Sequence, residues 1–267
     1  MRTRTVEPSL GDVLLMDPDV LAHRPVHLPG VIDEPTWASV VGAMWDHLAA
    51  RGVLRSDPST WPAGIVSGLQ PLTRRGSLRV LATPPVLEIT AHILRPAASS
   101  PALTWAPLIR FPEREPWRVP HKVWHLDVPG RGSPGAHQTA RLFVLLSDVG
   151  HGGGATLAVE GSAALVRQII ADSPGHDAGS SAEIRTTLRR RYEWFEVLMS
   201  QREPVLDDRL REGEEVDGVV CRVREMTGTA GDVWCMDQWT LHNASTNSSG
   251  KPRLAATLFS TAQHPPD

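Results

Sequence analysis

Residues 140–149 read ARLFVLLSDV, an apolar run that stops at the glycines of GHGGG (150–154). A run this short, bounded by turn formers, fits a strand buried on both faces. ATLAVEGS (155–162) follows as a second short strand, and SAALVRQIIAD (162–172) has the spacing of a short helix. GDVWCMDQWTLH (231–242) and RLAATLFST (253–261) read as two final strands, separated by the turn-rich NASTNSSGKP (243–252). Strands, a long excursion and more strands predict a mainly β chain: a Greek-key or jelly-roll barrel with helices packed outside.

The excursion at 177–217 is highly charged, and AEIRTTLRRRYEWFEVLM (182–199) runs at helical period, so it reads as a helical insertion or lid. Upstream, DEPTWASVVGAMWDHLAARGV (33–53) sets Trp37, Val40, Val41, Met44, Trp45 and Leu48 near helical spacing. Asp33 or Thr36 is the expected cap of that helix and Gly52 its stop. The Pro-rich stretch 54–120, with runs such as SLRVLA and LTWAPLIRF, suits strands and loops better than long helices. With no repeats and no low-complexity linker, the 267 residues are expected to form one domain. It would comprise a helical and strand part at 1–120, a barrel at 120–262, and the inserted lid at 177–217.

A formal charge of −3 offers no attraction to nucleic acid or to an anionic membrane. The basic run LRRRYEW (188–194) reads as a solvated helix face. Two cysteines, Cys221 and Cys235, are too few for a disulfide scaffold or a cysteine zinc site, and Cys235 reads as core. Glu7, Pro8, Asp12, Asp17 and Asp19 leave no apolar signal segment, and no stretch approaches the roughly 18 apolar residues that span a bilayer. The expected setting is cytoplasmic.

VWHLDVPG (123–130) carries the chemistry. Side chains alternate along a strand, so His125 and Asp127 project together and Leu126 opposes them. Pro129 and Gly130 end the segment, which places the pair at a rim. His242, last of its apolar run and first before a polar loop, supplies a third ligand from another rim. Two imidazoles and one carboxylate with open positions form the facial triad of non-haem Fe(II) oxygenases, whereas structural zinc prefers four closed ligands. Arg253 begins the returning strand; a hairpin would set it beside the strand of His242. A buried guanidinium needs an anion, and a dicarboxylate co-substrate could bind the metal at one end and Arg253 at the other.

WHLD (124–127), LFVLLSDVGHGGGATLAVEGS (142–162) and AGDVWCMDQWTLHNASTNSSGKPRLA (230–255) resemble the phytanoyl-CoA dioxygenase-like family. Its members are Fe(II)- and 2-oxoglutarate-dependent oxygenases built on a double-stranded β-helix, a jelly-roll or cupin-like barrel. The likeness covers about half the chain, from roughly 120 to 262. It implies His125, Asp127 and His242 as iron ligands, Arg253 as partner of the distal carboxylate of 2-oxoglutarate, and Thr156 as a further co-substrate contact. It implies O2 as oxidant and a small-molecule substrate. The family's Pro-Gly-Ser-His is EGSA here, with Glu160 and Ala163, and the serine two residues after the distal histidine is Ala244. Related halogenases replace the carboxylate ligand with a small residue; Asp127 favours hydroxylation or a related oxidation.

Taken alone, His125 reads as a hydrogen-bonded structural histidine; Asp127, His242 and Arg253 together reverse that. His121 and His125 have H-x-x-x-H spacing, but Lys122 stands where a zinc protease has Glu. His151, in a glycine turn, reads as exposed or locally bonded. Trp124, Trp234 and Trp239 read equally as pocket walls and as core. GHGGGA with Asp172 mimics a dinucleotide fingerprint, but ATLAV follows as a strand where that motif opens a helix. The rival class is a cupin-like metal-dependent hydrolase or isomerase, or a non-catalytic binding barrel; a hydrolase has no need of Arg253 as a buried carboxylate clamp. Arg189, Arg190, Arg191 and Tyr192 in the insertion point to an acidic or carrier-linked substrate; nothing in the sequence bears on oligomeric state.

Overall fold

The strands expected around 140–162 and 231–261 form, and they divide between two antiparallel sheets. The computed structural model describes residues 19–94, 102–127, 139–173, 179–200 and 206–261, with single positions 11, 17 and 203. The larger sheet runs in the order β1 (Val26–Leu28), β8 (Val233–Asp237), β4 (Thr139–Leu145), β10 (Arg253–Thr261), β3 (Ala102–Phe111) and β2 (Gly64–Ile65). The smaller runs β6 (Glu214–Val216), β7 (Val219–Glu225), β5 (Thr156–Glu160) and β9 (His242–Ala244).

Each sheet turns one face to helices. Helices Glu34–Ala49 and Pro84–Leu94 lay Val40, Met44, Leu48, Val86 and Ile89 against Ile109, Leu142, Val144 and Val233 of the larger sheet. Asp33 caps the first of them, accepting from the Thr36 N–H at 2.8 Å. Helices Ser162–Ala171, Ser181–Arg191, Glu193–Met199 and Leu206–Glu212 cover the smaller sheet, with Leu165, Leu188, Phe195 and Leu210 on Leu157, Val159 and Val223. The expected continuous helix over 182–199 is two, because Tyr192 is extended (φ −132°, ψ 120°). That bend lets Ile184 and Leu188 before it and Trp194 and Phe195 after it reach one core.

Three other expectations change. The stretch 54–120 contains an eleven-residue helix, Pro84–Leu94, whose prolines occupy the first turn where an N–H is dispensable. SLRVLA makes a 3-10 turn at Arg79–Leu81, not a strand. The run VWCMDQWTLH belongs to two strands in opposite sheets: β8 ends at Asp237, and β9 starts at His242. Asp237 shapes that crossing, its carboxylate accepting from the Trp239 N–H at 2.8 Å and its carbonyl from the Thr240 N–H at 3.0 Å. The glycines of GHGGG open strand β5, so the dinucleotide reading has no helix to stand on. No helix among the described residues is long and apolar enough to cross a membrane.

Between the sheets lies a third apolar cluster, Phe143, Leu145, Ala155, Ala158, Met226, Trp234 and Met236. Phe143 and Trp234 are register partners on β4 and β8. Across from them Ala158 sits between His242 on β9 and Arg224 on β7. This belt separates two cavities, one lined by His125, Arg141, Thr156, His242 and Arg253, the other by His27, Trp117, His151, Arg222 and Arg224.

Candidate metal centre

His125 and His242 form an antiparallel bridge, each N–H donating to the other's carbonyl at 3.1 and 3.0 Å. That fixes their ring centroids 4.2 Å apart. The Nδ1 of His125 lies 3.0 Å from the Val123 carbonyl, and that of His242 3.0 Å from the Thr240 carbonyl. A carbonyl only accepts, so each Nδ1 carries the proton and each Nε2 presents a lone pair. Asp127 Oδ1 is 3.8 Å from His125 Nε2, and Oδ2 is 3.0 Å from His242 Nε2. The three donor atoms fall within 4.8 Å of one another, and no other such cluster occurs among the described residues. Lone pairs aimed at a carboxylate repel unless a cation lies among them. A divalent ion held by two nitrogens and one oxygen, with positions left open, satisfies all three, so the donor set fits Fe(II).

Local structure is arranged around these atoms. Val123, β-branched and exposed, sits in the left-handed region (φ +65°), a strained conformation that aims its carbonyl at His125. Asn243 Nδ2 holds the preceding carbonyl, that of Lys122, at 2.6 Å. From behind, Ser181 Oγ accepts from the Leu126 N–H at 3.0 Å, and Arg185 donates to the Trp124 carbonyl at 2.8 Å. The described residues of the 177–217 insertion thus brace the ligand segment and pack on the outer sheet face; none of them lines the cavity. The Pro129–Gly130 break lies outside the described residues. Burial raises the Asp127 pKa, but His242 and His125 when protonated, with the Arg141 guanidinium, outweigh it and hold the carboxyl far below its usual range. Burial, then the charge of His242, lowers the His125 pKa. Both groups are therefore in the state that a metal ion would require.

Arg253 enters the same cavity, of about 170 Å³, by a route the sequence did not indicate. No hairpin sets it beside β9: β10 lies in the larger sheet, between β4 and β3. The loop returns the chain to that sheet, held by Asn247 Nδ2 bonds to the Arg110 and Lys251 carbonyls at 3.2 and 2.9 Å. Arg253 is 4% exposed, donates from Nη2 to Thr156 Oγ1 at 2.9 Å, and leaves its buried Nε without a partner. Burial, then the Arg110 guanidinium, brings its pKa down to about 10, so the cation persists at neutral pH. Arg110 occupies Glu113 with two bonds of 2.6 and 3.0 Å, and no described carboxylate pairs with Arg253. Thr156 faces Ala244 and Ala158 faces His242. Thr156 is therefore two residues, about 7 Å along the strand, from the histidine's level, a span that suits a short dicarboxylate.

Arg141, which the sequence reading does not single out, lines the same cavity. Its side chain bonds Asp127 and lies over the Phe143 and Phe259 rings at 5.8 and 5.3 Å. The signal was a lone arginine in a strand otherwise apolar on both faces. Trp124, Trp234 and Trp239 are buried and line no part of this cavity. His151 pairs with Glu225, and His121 lines a different depression. Arg189 and Arg191 pair with Glu196 and Asp172 on the outer layer, so they carry no argument about substrate.

No protein-family model matches the sequence, and no curated protein does. Solved structures do. The non-haem α-ketoglutarate-dependent carbocyclase SnoK from nogalamycin biosynthesis superposes with a TM-score of 0.57 at 16% identity, over 94% of this chain and 85% of that one. EctD from S. alaskensis, with bound Fe, gives 0.55 at 16% identity over 98% and 79%. The epimerase SnoN, in complex with Fe3+, α-ketoglutarate and nogalamycin RO, gives 0.51 at 20% identity over 93% and 88%. At these identities the likeness establishes architecture: the chain is a double-stranded β-helix barrel with flanking helices.

Proposed function

We propose that the protein is an Fe(II)- and 2-oxoglutarate-dependent dioxygenase that oxidises a C–H bond of a small molecule, with hydroxylation the simplest outcome. One observation carries this reading: His125, Asp127 and His242 aim three ligand atoms at one point, and Arg253 waits in the same cavity as a buried cation without an anion. The kinship with phytanoyl-CoA dioxygenase-like enzymes belongs to this proposal and is supported by the H-x-D pair and the His242-to-Arg253 spacing. SnoK, SnoN and EctD, which share the fold, are described as α-ketoglutarate-dependent or bear iron.

When bound, iron, 2-oxoglutarate and O2 supply the oxidising power, with succinate and CO2 released. His125, Asp127 and His242 hold the ion. Arg253, seconded by the Thr156 hydroxyl, receives the distal carboxylate. Leu108 and Phe143 wall the space. A hydrolase using the same three ligands for zinc or manganese has no use for a buried carboxylate clamp, so Arg253 counts against that alternative.

Anaerobic reconstitution tests the proposal. The protein should take up about one Fe(II) per chain and develop a weak visible charge-transfer band when 2-oxoglutarate is added. Absence of the band, with no succinate formed in the presence of any candidate substrate, overturns it.

A further inference from the structure

We propose that Arg141 anchors an anionic group of the substrate, so that the molecule oxidised is a small carboxylic acid whose reacting C–H lies close to its carboxylate. This rests on the oxygenase reading and narrows it.

Arg141 is on β4, its side chain 15% exposed, and it lines the cavity of His125, His242 and Arg253. Phe143 and Phe259 lie under the guanidinium. Among the described residues its one polar partner is the Asp127 carboxylate, and its buried Nε has none. A guanidinium offers five N–H donors in a fixed fork, so most of its donor capacity has no partner among the described residues.

Charge balance gives the sign of the missing partner. A divalent ion and Arg253 together carry three positive charges; Asp127 and bound 2-oxoglutarate carry three negative ones. Arg110 is already matched by Glu113. Once the ion has claimed Asp127, Arg141 is the one remaining cation in a space walled by Pro107, Leu108 and Phe143. An uncompensated buried charge is costly, and a planar fork recognises a carboxylate with two parallel bonds. Position then limits the chemistry. The guanidinium touches the metal's own ligand, so an acid group on its free edge lies within a few bonds' reach of the open metal positions. The carbon oxidised is therefore near that acid group, not at the far end of a long chain.

The test is an anaerobic titration of the Fe(II)·2-oxoglutarate holoprotein, read by its charge-transfer band. The probes are isobutyrate, cyclohexanecarboxylate and benzoate, each beside its neutral amide. Acids should shift the band where the matching amides do not. At Fe(II) and 2-oxoglutarate concentrations that saturate each variant, Arg141→Leu should weaken the acids by about tenfold or more while the amides are unaffected, and Arg141→Lys should recover part of the loss. A band indifferent to every acid, or equally responsive to amides, overturns the assignment. So does an Arg141→Leu protein whose 2-oxoglutarate affinity falls while the acids bind as before, which would make Arg141 a co-substrate contact. A wild-type protein with no band at all instead defeats the oxygenase reading beneath it.

Discussion

Both cavities of the barrel carry arginines and histidines, but the two treat them differently. In the larger, of about 460 Å³, Arg222 pairs with Glu160, His151 with Glu225 and His27 with Asp232. Arg211 and Arg224 rest over the Trp117 and Trp234 rings at 5.2 and 6.0 Å. In the smaller, two imidazoles turn lone pairs on a carboxylate, and Arg253 has only a hydroxyl. Buried polar groups are normally satisfied within the protein, so a set held in place yet unsatisfied marks where a ligand belongs. The larger volume and the unsatisfied set lie in different cavities.

The contrast breaks most decisively at Asp127. Asp127→Ala should abolish iron retention, measured by metal content after anaerobic desalting; a normal content would remove the residue from the ligand set. Next, Arg253→Ala should leave iron bound and weaken 2-oxoglutarate by about 10- to 100-fold, because charge-assisted bonds are lost. An unchanged titration midpoint would leave the buried cation without its assigned role. At the other end of the barrel, Glu160→Gln should cost stability, about 1 kcal/mol in denaturant unfolding, with iron and 2-oxoglutarate binding intact. If binding falls as well, the two cavities are one functional unit and the comparison fails.

The smallest expected effect lies outside both. Burial pushes the Cys235 thiol up to about 12, and burial with the nearby Glu214 does the same for Cys221. The reactive thiolate is then scarce at pH 8 and grows only as pH approaches that value. Native protein should resist iodoacetamide at pH 8 and react fully once unfolded.

Strand alternation made His125 and Asp127 legible as a pair, and a rim position after an apolar run made His242 legible as their partner. Alternation does not say to which sheet a strand belongs, which is why the Asp237-to-His242 crossing was invisible and Arg253 was placed by the wrong route. The insertion's helical period was readable, but its packing against the back of the ligand segment depends on Ser181 and Arg185 meeting backbone groups far away in sequence. Arg141 escaped notice because one charge does not disturb the apolar average of a strand. Only the register, with Phe259 on one side and Met236 on the other, shows that it points inward.

The crossing at residues 238–241 ties the two walls of the barrel together a single step before His242. An ion seated on that histidine, and on a segment bridged to it, would therefore act as a rivet through a seam. Prising the walls apart at that edge means first releasing the ion, so the chain's resistance to unfolding should rise with the free iron around it.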